Sequence, residues 1–426
     1  MQEAFLHFIW KFQYFDKAQL YSTQGELLEI QAPGLHNTHA GADFSQARIR
    51  LDGIEWAGDI EIHLKASDWR KHAHHENPAY NKVVLHVVWE ADEPALRKDG
   101  TSIPALELKQ RIDTVLLHRY QALLQAKGSI PCHAHLAEVP DLLKISMRDQ
   151  AAVRRLEQKA ELLYSHWEAN DQDWEESCYQ ILAQAFGFKV NSEAMLALAK
   201  RTPLKIIQKH RTHLLQIEAL LMGQAGFLAE ESLEEPYYQK LRKEYLFLQH
   251  KYQLSPLPAT MWKWARLRPV NFPTIRLAQW AMLLHRQQSF FSLFTEENSL
   301  PNIRKALQAE VSDFWQSHYR FEEASEASGK QIGKEGIESL IINTAIPLLA
   351  LLAKVKRQNA YLERALGFLE QLKAENNQIT RLWTDLGLEN RSAFDSQALI
   401  EQYKNFCSLQ RCFECSIGTY LLKPRP

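Results

Sequence analysis

The chain has 426 residues, 46% apolar and 24% charged, with a formal net charge of −1. That length exceeds one ordinary core and predicts two or three folded domains. The near-neutral balance argues against a protein that coats nucleic acid through phosphate contacts, while leaving room for a local basic groove.

The N-terminus, MQEAFLHFIWKFQYF, lacks the basic lead, long apolar core and small-residue cleavage site of a secretory signal. Residues 4–16 read as an apolar helix, followed by two extended runs around a turn at Gln24-Gly25. A loop, GLHNTHAGAD, leads into a predicted hairpin, ARIRLDG and WAGDIEIHLKA, turning at Asp52-Gly53. Asp68 opens a polar stretch, DWRKHAHHENPAY, helical in part and interrupted by Pro78. KVVLHVVWE is apolar on both faces, as a central strand requires, and a further strand is expected within Ala105 to Ile112. From about residue 113 the apolar spacing becomes helical, and from residue 141 onward little strand signal remains. Roughly ten helices fit that length. No fixed-period repeat is present, so a solenoid is not expected. Leu340 to Val355 is short for a bilayer span and contains Asn343, Thr344 and Pro347, which predicts a buried helix.

Chemistry-bearing residues concentrate early. Eleven of the 17 histidines precede residue 136. On the second hairpin strand, Asp59, Glu61, His63 and Lys65 alternate with Ile60, Ile62 and Leu64, so the polar set shares one face. Asp43 lies just ahead of the first hairpin strand. Asp43 and Glu61 are candidate ligands of a divalent cation, since two close carboxylates repel unless a cation such as Mg²⁺ or Mn²⁺ lies between them. His63 and Lys65 would then orient water or neutralise developing charge. The same alternation also suits the solvated face of an antiparallel sheet. His36, His39, His72, His74 and His75 flank the strand, and imidazoles at such positions suit Zn, Fe or Ni. His86 is the one polar residue in its apolar strand, expected to be a satisfied core group.

Order and spacing resemble the PD-(D/E)XK nuclease superfamily, over about residues 1 to 112. The resemblance implies a restriction-endonuclease-like mixed sheet flanked by helices, with Asp43 and Glu61 as the two acids. His63 occupies the place of the superfamily lysine, and Lys65 lies two residues later on the same face. Glu76 and Tyr80 fall where some members carry Gln-x-x-x-Tyr. The whole chain also resembles a bacterial family known only as a domain of unknown function, through GDIEIHLKASDW, AYNKVVLHVVWE, RPVNFPTIRLAQWA and CFECSIG.

Near the C-terminus, Cys407, Cys412 and Cys415 form C-x4-C-x2-C, whose C-x2-C half is a metal-knuckle spacing. Cys132 or Cys178 is available as a fourth ligand. Zinc or an iron–sulfur cluster is the implied occupant; some nucleases of the superfamily pair one upstream cysteine with three C-terminal ones around such a cluster. Three reduced cysteines in a terminal helix are the simpler alternative. Trp262, Trp264, Arg266 and Arg268 interleave aromatics with cations, suiting either base stacking or a packed corner. The expected class is α+β, with a nuclease-like domain over 1–130 and an all-helical domain over 141–426 carrying the cysteines. The expected function is a cytoplasmic, metal-dependent phosphodiesterase acting on nucleic acid. The alternatives are a non-catalytic interaction protein on a degenerate core, or a histidine-rich metallohydrolase of another class.

Overall fold

The computed structural model describes every residue except 38–39, 127, 327–329 and 424–426. The fold is α+β and divides into two compact units, one of Met1–Met147 with Gln402–Pro426, the other of Arg148–Glu401. This division groups the cysteine-bearing tail with the N-terminal residues, not with the helical ones that its periodicity resembles.

In the first unit, α1 (Glu3–Phe12) buries Phe5, Leu6, Phe8, Ile9 and Trp10. It ends before residue 16 because Gln13 turns left-handed (φ 55°) and its N–H caps the Ile9 and Trp10 carbonyls. The sheet contains β1 (Leu28–Ala32), β2 (Leu35–His36), β3 (Phe44–Leu51), β4 (Ile54–Lys65), β5 (Val83–Glu90) and β6 (Ala105–Glu107). Its order is β1-β3-β4-β5-β6, with β2 pairing to β3. The β1–β3, β2–β3 and β3–β4 pairs are antiparallel, whereas β4–β5 and β5–β6 are parallel. The β3–β4 turn has both Asp52 (φ 45°) and Gly53 (φ 85°) at positive φ, the geometry that an Asp-Gly hairpin favours.

A parallel neighbour requires a crossover. Here it comprises α2 (Asp68–Lys71) and two 3₁₀ turns, His74–Glu76 and Pro78–Tyr80. Pro78 starts the second turn, where a missing N–H costs nothing, and the Asn77 side chain accepts from Ala79 N–H. In β5, Val83 through Val88 are all buried, including His86. In β4 burial is complete only from Ile60 to His63, and both faces are covered there.

The second unit is helical around one core, with Phe186, Trp280, Phe294, Trp315 and Leu349 among its fully buried members. It also holds a small hairpin, His318–Arg320 with Glu323–Ala324, that hydrophobic periodicity does not reveal. The Trp262 ring is buried and its Nε1–H donates to the Ala225 carbonyl at 2.9 Å. Trp264 packs on Phe227 and Phe272. Both tryptophans therefore serve packing. Lys334–Lys356 is the one stretch long and apolar enough to cross a membrane among the described residues, and 67% of its most apolar window is buried in the protein. It is broken into Lys334–Asn343 and Ala345–Lys356 at Thr344, whose hydroxyl bonds the Leu340 carbonyl.

Candidate metal centre

Strand alternation puts Glu61 and His63 on one face of β4, and the sheet register sets Glu61 beside His86 of β5. Neither Glu61 nor His63 is solvated: they are 4% and 1% exposed. A solvated antiparallel face is thereby ruled out for this pair. Asp43 arrives from the loop before β3. Its own N–H donates to Glu61 Oε2 at 3.1 Å, and its Oδ2 accepts from Ile62 N–H at 2.9 Å. The Glu61 side chain thus holds the Asp43 backbone, and the Asp43 side chain holds the β4 backbone at Ile62. A bulge after Phe44, with Gln46 at φ 58° and its N–H on Asp59 Oδ1, shapes the β3 strand beside them.

Imidazoles complete the cluster. His74 Nε2 lies 3.2 Å and His63 Nε2 3.6 Å from the same Glu61 Oε1. His63 Nδ1 bonds His86 Nε2 at 2.8 Å. His72 packs its ring edge-on to His63, with centroids 5.1 Å apart. His74 stacks between His63 and Tyr80, whose ring centroid is 3.9 Å away. From α1, His7 Nε2 reaches Asp43 Oδ2 at 3.4 Å and Glu3 Oε1, one turn away, at 3.7 Å. Among the described residues, two triads have donor atoms all within 4.8 Å of one another, His63–His72–His74 and Glu3–His7–Asp43.

Burial sets the protonation states. It pushes the Glu61 carboxyl up to about 9, helped by the charge of Asp43 and opposed by the Asp43 N–H bond. Burial also pushes His63 down to about 2 and His86 down to about 4, with neighbouring imidazoles adding to it. A divalent cation binding here would need the imidazole lone pairs and the ionised Glu61 carboxylate. Among the described residues no Lys or Arg side chain bonds Glu61, so no resident cation fills that role.

Lys65 is exposed near the end of β4, where its N–H bonds Asp68 Oδ2, and it makes none of the cluster's contacts. His36 packs edge-on to His7, and His39 lies outside the described residues. Glu3 and His7 escape a strand-based reading. Their signal is the i,i+4 pairing of an acid and a histidine in the first two turns of a mostly apolar helix.

The cysteines form a separate group in the same unit. Cys132, Cys407, Cys412 and Cys415 are near enough to oppose one another's ionisation. Burial, then the neighbouring sulfurs, push the Cys132 and Cys412 thiols up to about 12 and Cys407 higher still. Cys407 closes a π-helical turn, Tyr403–Cys407, and Cys415 precedes the helix Ser416–Leu422 while its sulfur accepts from Gln402 Nε2 at 3.0 Å. Cys178 is buried in the core of the helical unit and is not part of the group. Phe413, between the last two cysteines, packs on Phe5 and Phe8 of α1.

A family model described as "Protein of unknown function (DUF2851)" matches residues 3–378, and the chain belongs to that family. No curated protein and no solved structure matches it.

Proposed function

We propose that this DUF2851 member is a metal-dependent phosphodiesterase acting on nucleic acid, with its N-terminal unit a restriction-endonuclease-like core of the PD-(D/E)XK kind. The observation that carries the reading is the approach of Asp43 to Glu61, whose Oε2 accepts the Asp43 backbone N–H at 3.1 Å while Asp43 Oδ2 accepts from the neighbouring Ile62 N–H at 2.9 Å, beside buried neutral imidazoles. The order helix, antiparallel strands, helical crossover, parallel strand supports it.

Asp43 and Glu61 would hold Mg²⁺ or Mn²⁺, which supplies a lowered water pKa and charge stabilisation at a phosphoryl oxygen. His63, oriented by His86, stands where the superfamily places its lysine and would position the attacking water. Lys65 is exposed and free to meet phosphate from the solvent side. Asp43 and His72 leave the cluster open at its rim, while Glu61 and His86 close its floor. The helical unit would select substrate or partner, in the cytoplasm.

The four cysteines would hold zinc or an iron–sulfur cluster. Three buried thiols and the half-buried Cys412, near enough to oppose one another's ionisation, fit a cationic centre.

Glu61→Ala should abolish Mn²⁺-dependent cleavage of DNA or RNA without unfolding the protein. Retained cleavage by a folded variant removes Glu61 from the ligand set. The three converging histidines favour one other reading, a histidine-rich metallohydrolase of a different class. Hydrolysis of non-nucleotide esters or amides with nucleic acid untouched would select it.

A further inference from the structure

We propose that the centre has two ion positions of different chemistry: a nitrogen-rich one formed by His63, His72 and His74, and an oxygen-rich one at Asp43, with the Glu61 carboxylate between them. The inference rests on the phosphodiesterase reading only for the role of the Asp43 position.

The distances suit ligands that share an ion. Two donors bound to one metal at about 2.1 Å are roughly 3.0–3.4 Å apart, depending on coordination angle. His74 Nε2 to Glu61 Oε1 is 3.2 Å and His63 Nε2 to the same oxygen is 3.6 Å. The other Glu61 oxygen faces Asp43, accepting its N–H at 3.1 Å. Glu61 therefore meets the imidazoles through one oxygen and the backbone of the Asp43 loop through the other.

The histidines are held as ligands are held. A metal-binding histidine usually donates its second ring N–H to a neighbour, which fixes the tautomer. His63 Nδ1 has such a neighbour in His86 Nε2. With the proton on Nδ1, the His63 Nε2 lone pair points at the region shared with Glu61 Oε1, an arrangement that requires a cation or a proton between them. His72 and His74 are delivered by Ala73, a left-handed alanine at φ 55°. That conformation costs about 1 kcal/mol or more in a residue with a Cβ. It lets two histidines separated by one residue both approach His63. The exposed His72 gives an entry side, and the buried His63 gives a fixed floor. Three imidazoles and a carboxylate suit a first-row transition ion better than Mg²⁺.

The test is a Mn²⁺ titration of chelator-treated full-length protein, with bound ion counted by electron paramagnetic resonance; Mn²⁺ suits carboxylate and imidazole sites and is a poor partner for the cysteine thiolates. The wild type should bind two Mn²⁺ per chain. His72→Ala changes an exposed residue and should fold, and it should weaken one of the two sites roughly tenfold or more while sparing the other. A single Mn²⁺ in the wild type, or two unchanged sites in a folded His72→Ala variant, overturns the proposal. Two bound ions with no cleavage of DNA or RNA sustain it and defeat the phosphodiesterase reading. Glu61-dependent cleavage with one ion per chain does the reverse.

Discussion

Glu218, in the helical unit, shows what burial does to an acid in a different setting. It is 1% exposed and accepts from the hydroxyls of Tyr237 and Ser312. Those bonds favour the carboxylate, but desolvation outweighs them and pushes the group up to about 7. The folded pKa is raised, so the folded state binds the proton more tightly. Stability is greatest below the unfolded value near 4.5, falls as pH rises through that window, and levels off above about 7. A shift of that size corresponds to about 3 kcal/mol. Glu218→Gln should flatten this slope: urea unfolding at pH 5 and pH 7.5 should show a larger drop for the wild type than for the variant, and equal drops would exclude Glu218 as the source. At the metal centre, the legible residues are those governed by local periodicity. Asp43, Glu61 and His63 follow from a loop acid and a two-residue strand repeat. Lys65 obeys the same repeat yet is exposed, because β4 outruns the covered part of its sheet. Glu3, His7 and His74 come from other elements, and their approach to Asp43 and Glu61 is a tertiary fact that no spacing encodes.

Elements with strong local chemistry were readable. The Asp-Gly hairpin, the largely apolar β5 and the Pro78 break all follow from the preferences of those residues. Short elements were less so: β6 spans only Ala105–Glu107 of the expected Ala105 to Ile112. The helix Ser416–Leu422 shows how a terminal element holds the cysteine loop. A Cβ at Gly418 would collide with the backbone carbonyl oxygen of Cys412. Neither side can yield by a rotamer change, so Gly418→Ala must push the loop off its helix. Overpacking of this kind costs about 1–3 kcal/mol. The expected signature is local: in the variant, Cys412 and Cys415 should react faster with a thiol reagent under native conditions, without loss of overall helicity. Wild-type protection in the variant would mean that the close approach is not required. Because Phe413 in that loop packs on α1, and α1 carries Glu3 and His7 on the metal centre, loosening the loop should also weaken Mn²⁺ binding.

The whole molecule has two compact units, so a single melting transition is not expected to describe it. The sequence suggested two domains through its change from mixed to helical periodicity near residue 113. It placed the tail with the helices because helical spacing continues to the end, whereas the grouping of Cys132 with Cys407, Cys412 and Cys415 depends on chain return over nearly three hundred residues. That return has a thermodynamic consequence. An ion that binds only the folded first unit stabilises that unit by RT ln(1 + [L]/Kd), about 4 kcal/mol at a thousandfold excess over Kd. Scanning calorimetry with saturating Mn²⁺ should therefore raise one transition and leave the other in place. Asp43→Asn should shrink the shift, leaving the part due to the histidine position. Cys412→Ser with Cys415→Ser should lower that same transition, since the tail belongs to the unit containing the metal centre. If the cysteine substitutions lower the other transition, the tail's stability is tied to the helical unit and the proposed route from Phe413 through α1 to the metal centre fails.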